Sequence, residues 1–212
     1  MSSEAPSRRY DSTRRRQMAA RTRAEVLSAA SDLFVERGWS GTSIRDVARA
    51  AGVSVETVYA SVGTKAELLK TAVEISVVGD DEPIPLAERP EFRALGEGDL
   101  AERVQALGRL MALLNPRTAK LHRVLQHAAL SEPALAELLG LVMAQEREST
   151  RQGIVTLIGR EGTDREIAGV QAVLSNDVYL LLTEHSGWDL ETYQHWVADA
   201  VVRLLDLTGE LT

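Results

Sequence analysis

The sequence predicts an all-α fold of about nine helices: an N-terminal three-helix module of the helix-turn-helix type, then a larger helical body. Three observations predict it. Apolar residues recur at helical spacing along most of the 212 residues. Residues 42–65, T-S-I-R-D-V-A-R-A-A-G-V-S-V-E-T-V-Y-A-S-V-G-T-K, read as two short helices around a glycine turn. No segment alternates convincingly as a strand. The run I-V-T-L-I at 154–158 has β propensity but lies in a helical context. The expected organisation is a flexible basic arm over 1–20, the helix-turn-helix module over 21–64 and the body over 65–212.

Each element has its own signal. Residues 1–20 are Ser- and Arg-rich with little apolar periodicity, the pattern of a flexible arm. From Thr22 a helical face begins, with Val26, Leu27, Ala30, Leu33 and Phe34. Thr22 and Glu25 stand at capping-box spacing, and Gly38 stops the helix with Trp39 placed to pack back on it. Ile44, Val47, Ala48 and Ala51 line the next helix, and Gly52 ends it. Ala48 is small enough for the two helices to approach closely. Ser54 caps the second short helix, whose inward residues are Val55 and Val58. Thr64 with Glu67 opens a fourth helix carrying Leu68, Leu69, Ala72 and Val73; it ends near Val78 and links module to body.

Residues 79–99 hold three prolines and three glycines among many acids, the composition of a loop, with Phe92 and Leu95 able to dock on a neighbour. Leu100, Val104, Leu107, Met111 and Leu114 form one stripe; Asn115-Pro116 is expected to end it before a second helix through Leu121, Val124, Leu125 and Ala128. Pro133 suits the first turn of a long helix to Ile158. After a turn at 159–163, two helices of about 164–186 and 189–207 complete the chain.

Hydrophobic content of 44% with 26% charge is that of a globular protein able to bury a sizeable core. The absence of cysteine excludes a disulfide framework and a thiolate metal site, and suits a cytoplasmic location. No apolar run reaches the roughly 18 residues of a bilayer span, and no signal-peptide core opens the chain. The net charge is −7, but residues 1–60 hold ten basic against seven acidic residues, leaving −10 for the remainder. A basic end on an acidic body is the asymmetry expected where one end meets phosphate.

A helix-turn-helix unit places its second helix in the major groove of double-stranded DNA. The positions of that helix offered to DNA are Val55 at its first turn, Glu56, Thr57 and Tyr59, with Ser54 at the cap. Thr57 suits a base edge and Val55 a thymine methyl. Glu56 is matched to a cytosine amino group but repelled by phosphate, so part of it should point away. Thr42 and Ser43 stand where helix-start amides and hydroxyls suit a phosphate oxygen, and equally where plain helix caps belong. Arg14, Arg15, Arg16 and Arg21 suit the DNA backbone or a minor groove.

These residues resemble the tetracycline-repressor (TetR) family of bacterial regulators. The resemblance rests on L-F-V-E-R-G-W, then T-S-I-R-D-V-A-R-A-A-G-V-S, T-V-Y and T-K-A-E-L-L, over residues 23–73. It implies an all-α homodimer with a ligand-binding body, phosphate contacts from Tyr59 and Lys65, and regulation of transcription. The chain departs from the family pattern at Ala60-Ser61-Val62 and at Val55-Glu56-Thr57, so no operator sequence carries over.

One short recognition helix reads little DNA, so a dimer on a pseudo-palindromic operator is expected, with half-sites about 34–36 Å apart or a multiple of that. The final two helices are the candidates for its interface, through Val170, Leu174, Val178, Leu181, Trp196, Val197, Ala200, Val201 and Leu204. Their alternative role is to close the core of a single chain. In the helix over 133–158, the face Leu135, Leu138, Val142 continues as Gln145, Ser149 and Gln152. Such a polar turn lines a pocket or marks where the helix leaves the core. Met111, Met143 and Arg147 are further candidates for a small-molecule effector site. Asn176 and Asp177 suit a ligand or a pair across a dimer.

No cofactor, metal site or catalytic set is expected. His122 and His127 are five apart, which splits them around a helix; His185 and His195 add no ligand pattern. No P-loop, dinucleotide fingerprint or nucleophile elbow occurs. The alternative to a ligand-responsive repressor is a DNA- or partner-binding regulator with no small-molecule ligand.

Overall fold

The computed structural model describes residues 7–79 and 89–209, with side chains from Arg14 onward, Val78 excepted. The described residues contain helices and no strand. They form two compact units, Met1–Ala72 and Val73–Thr212.

The first unit holds α1 (Ser7–Arg37), α2 (Ile44–Ala50), α3 (Val55–Ser61) and the start of α4 (Lys65–Val78). Val26, Ala30 and Phe34 of α1, Val47 and Ala48 of α2 and Val58 of α3 are buried, and so are Leu68, Leu69 and Ala72 of α4. Trp39 stacks on Phe34 with ring centroids 5.9 Å apart, closing the end of α1. The Thr64–Glu67 capping box is present, its Thr64 amide donating to Glu67 Oε2 at 2.7 Å.

One difference concerns the arm. Residues 1–6 lie outside the described residues, but from Ser7 the chain is already helical. No Gly or Pro interrupts residues 7–37, and the Arg, Gln, Met and Ala that fill residues 14–20 are good helix formers. Side chains 14–20 are all exposed, so this stretch has no apolar face and gives no periodic signal. Thr22 is therefore mid-helix and caps nothing; Glu25 pairs with Arg21 one turn away instead, at 2.8 Å.

The second unit is built around α6. Before it come α5 (Pro90–Arg93) and a 3₁₀ turn (Ala94–Gly96), set in the segment read as a loop; residues 80–88 of that segment lie outside the described residues. Phe92 and Leu95 dock beside Leu110, Met111, Tyr193 and Val197, as their apolar character required. Then follow α6 (Leu100–Ala129), α7 (Pro133–Ile158), α8 (Asp164–Leu174), α9 (Asn176–Leu180) with a π turn (Leu181–His185), and α10 (Leu190–Leu204). Residues 154–158 are helical, within α7.

Two sequence expectations are corrected here. Asn115-Pro116 does not divide α6, which runs through Pro116. Asn115 is buried and donates to the Tyr193 hydroxyl (2.7 Å) and to the Leu174 carbonyl (3.1 Å), tying α6 to α10 and α8. Tertiary bonding here outweighs the helix-breaking preference of proline. The helix expected over about 164–186 is instead broken at Ser175, whose extended backbone ends α8 and whose hydroxyl caps α9.

Helix α10 crosses α6 at Gly108. A Cβ there would sit 2.5 Å from the Gln194 carbonyl oxygen, so only glycine allows this approach. Asp99–Glu102 and Thr163–Glu166 capping boxes open α6 and α8. The Arg160 guanidinium, with the Thr163 amide, holds the Glu166 carboxyl down at about 2.

Candidate nucleic-acid interface

Three short-range devices fix the helix-turn-helix. Ser43 caps α2 and its hydroxyl donates to Asp46, which also accepts from the Ser43 amide. That hydroxyl, foremost, holds the Asp46 carboxyl below its ordinary range. At the turn Gly52 adopts φ +67°, a left-handed conformation costly for other residues, and the Val53 amide closes back on the Ala48 carbonyl at 3.0 Å. Ser54 caps α3, accepting from the Thr57 amide at 3.1 Å; the two hydroxyls lie 3.0 Å apart.

On α3 the buried anchor is Val58, with Val55 half-buried beside the turn. Tyr59, the next residue, is 52% exposed. Thr57 is half-buried, with its hydroxyl near Ser54. Glu56 is exposed, and its carboxyl lies below the usual range because its own backbone amide and the Ser54 hydroxyl bond it. It folds onto the helix start.

Thr42 is a correction. It is 3% exposed, and its hydroxyl donates to the carbonyls of Leu33 (3.0 Å) and Gly38 (2.9 Å). It joins α2 to the end of α1 and turns no hydroxyl outward. Ser43 beside it is exposed. Lys65 is half-buried; its ammonium donates to the Trp39 carbonyl and stands 3.9 Å over the Trp39 ring. In this structure that charge rests on Trp39. Arg14, Arg15, Arg16 and Arg21 are exposed along α1, Arg21 paired with Glu25. Residues 1–72 hold 12 basic and 8 acidic residues, against 12 and 23 in residues 73–212, so the first unit is the positive one.

Arg23 was not among the candidates. Its Nη1 donates to the carbonyl of Ser61, the last residue of α3, at 2.5 Å. A partner 38 positions away leaves no local sequence signal.

In the second unit, the effector candidates do not gather around one site. Met111 is core, packed with Leu110, Tyr193 and Val197. Met143, Gln145, Arg147 and Ser149 are exposed on α7, whose buried residues are Leu135, Thr150, Ile154 and Leu157. The polar turn thus marks where that face leaves the core. Gln145 lies 3.4 Å from Ser149, and Arg147 bonds Asp164 at 2.9 Å. Asn176 accepts from Thr118 (2.7 Å) and Asp177 from Gln126 (3.0 Å), so both tie α9 to α6. His122, 8% exposed, lies 3.8 Å from Glu146; burial raises the Glu146 carboxyl against the pull of the imidazole.

The dimer candidates also divide. Val170, Val197 and Val201 are buried within the unit's own core, with Leu174 and Trp196 half-buried against it. Val178 and Ala200 are half-buried. Leu181 is 54% and Leu204 39% exposed.

The first unit has the architecture of a helix-turn-helix module. Residues 26–72 match the family model for bacterial regulatory proteins of the tetR family. The HTH-type transcriptional regulator AlkX of Mycobacterium tuberculosis is 46% identical over 43 residues, which is 20% of this chain and 20% of that protein. The chain thus matches about a fifth of that relative's length. The fold of nearly the whole chain recurs in solved structures. A transcriptional regulator from Rhodococcus sp. Rha1 is 23% identical with a TM-score of 0.62, covering 87% of this chain and 96% of that one. A TetR-family regulator from Syntrophomonas wolfei is 18% identical with a TM-score of 0.66, covering 88% and 96%. NalD, the secondary repressor of the MexAB-OprM multidrug efflux pump in Pseudomonas aeruginosa, is 19% identical with a TM-score of 0.58, covering 87% and 96%. The N-terminal module thus carries the tetR-family pattern over residues 26–72, and the fold of the chain is similar to that of solved TetR-family regulators. No helix of the described residues is long and apolar enough to cross a membrane.

Proposed function

We propose that this chain is a sequence-specific DNA-binding transcriptional regulator acting in the cytoplasm as a homodimeric repressor. The observation that carries this reading is α3: a capped helix anchored by Val58, with Tyr59 turned outward, inside the segment matched by the family model. Ser54, Val55 and Thr57 face base edges, Tyr59 and Ser43 meet phosphate, and Arg14, Arg15 and Arg16 follow the flanking backbone. Lys65 joins them by leaving Trp39 for a phosphate oxygen. Glu56 stays at the helix start and keeps acidic character away from the backbone.

A dimer presents two copies of α3 to a pseudo-palindromic operator. A small-molecule effector releases the operator by favouring a state whose two recognition helices no longer fit the DNA, and its effect is limited by its difference in affinity between the two states. Helix α4, which begins in the first unit and ends in the second, is the covalent link for that coupling. A second reading, a regulator with no small ligand, draws support from the effector candidates: Met111 lies in the core, and Arg147, Asn176 and Asp177 already have partners within the body.

Selection from a randomised duplex library at near-physiological salt tests the reading. Enrichment of a pseudo-palindrome is the expected result. A folded protein that enriches no sequence would overturn it. Effector screening against the selected operator then separates the two readings.

A further inference from the structure

Helix α3 is weakly held for the task it is given. It has seven residues, too few to be stable alone, and one fully buried side chain, Val58. At its C-terminus the capping residue is Val62, with φ −130° and ψ −43°, followed by Gly63 at φ +119°. The Val62 and Gly63 amides and the Ser61 hydroxyl all converge on one acceptor, the Val58 carbonyl. The Ser61 carbonyl, among the last groups of the helix, takes its bond from the Arg23 guanidinium on α1 instead.

The ground between the two helices is open. Ala19, Ala20, Thr22 and Arg23 of α1 face Thr57, Ala60 and Ser61 of α3 across a groove of about 480 Å³. The small residues on both sides leave a gap, and the Arg23 side chain spans it. A positive charge at a helix C-terminus is also favourable to the helix dipole. Arg23 lies outside the 26–72 segment matched by the family model, so the bond is not part of the matched pattern.

We propose that Arg23 is a positioning residue: it acts as a strut that sets the orientation of the recognition helix, and so contributes to operator discrimination without neutralising a phosphate. The proposal rests on the DNA-binding reading above.

The test compares wild-type protein with Arg23→Ala and Arg23→Gln, first checked for unchanged helical content. Binding to the selected operator and to a scrambled duplex is measured across a salt series. Amide hydrogen exchange at residues 58–63 is measured without DNA. A strut predicts operator affinity about tenfold lower, nearly unchanged scrambled-duplex binding, an unchanged salt slope, and faster exchange at Val62 and Gly63. A phosphate contact would weaken both duplexes together and reduce the salt slope by about 0.9; that result overturns the proposal. Unchanged operator affinity and exchange overturn it as well. A wild-type protein with no preferred sequence would sink the functional reading, while the exchange data would still decide whether the strut holds α3.

Discussion

Thr42 stands beside the first helix of the helix-turn-helix pair, yet its hydroxyl is spent inward on Leu33 and Gly38. Replacing it with the near-isosteric valine leaves two buried carbonyls with less bonding and should destabilise the protein by about 1–3 kcal/mol. A thermal melt reads that loss, and operator affinity of the folded protein should stay as in wild type. Weakened operator binding with an unchanged melt would return Thr42 to the phosphate-contacting set. Glu166 offers a pH test at the same scale. Its carboxyl is lowered from 4.5 to about 2, chiefly by Arg160. A depressed folded-state value stabilises the protein above the unfolded value, and the contribution disappears as pH falls through the folded value. Wild-type protein should therefore melt higher than Glu166→Gln at neutral pH. The gap should narrow between about pH 4.5 and 2 and close below that. A gap independent of pH would mean that the carboxylate charge contributes nothing.

Among the elements, α6 and α10 make the most demanding contact. Gly→Ala in a helix ordinarily stabilises by up to about 1 kcal/mol. At Gly108 the sign should reverse, because the new methyl meets a backbone oxygen of α10 that has no rotamer to give way. Gly108→Ala is expected to cost about 1–3 kcal/mol in denaturant unfolding, whereas Gly140→Ala, with open space around its Cβ position, should not destabilise. Equal effects at the two positions would remove the close approach from the account. The same contrast between local and distant partners explains what the sequence disclosed. The α2 cap at Ser43, the Gly52 turn, the Ser54 cap and the outward Tyr59 follow from residues within a few positions of each other, and all were legible. Lys65 and Arg23 have partners 26 and 38 positions away, and Thr42 adds one 9 positions away to its nearer partner Gly38; no local pattern announces the distant ones. The first half of α1 was read as an arm because periodicity detects only helices with one buried face. Pro116 was read as a stop because the bonds of Asn115 to Tyr193 and Leu174 belong to the folded state alone.

At the scale of the whole molecule, the proposed function asks how an acidic protein of net charge −7 would hold DNA. Under that proposal the positive unit supplies half of the answer, and a second copy of that unit in a dimer supplies the rest. An apolar stripe in the sequence says that a helix is covered, not which chain covers it. Val170, Val197 and Val201 proved to be covered by their own chain, while Leu181 and Leu204 keep much of their surface exposed. These two leucines are the residues on which the dimer reading makes its sharpest demand. The double variant Leu181→Glu/Leu204→Glu should keep its helical content, because neither side chain is in the core. It should sediment as a monomer at concentrations where wild-type protein is a dimer. Its operator affinity should fall by about 100-fold or more, since one recognition helix then binds without the effective concentration supplied by its tethered twin. Val197→Glu serves as the contrast: it buries a charge in the monomer's own core and should lose helical content first. A double variant that stays dimeric and binds its operator fully would place the interface on another face of the body.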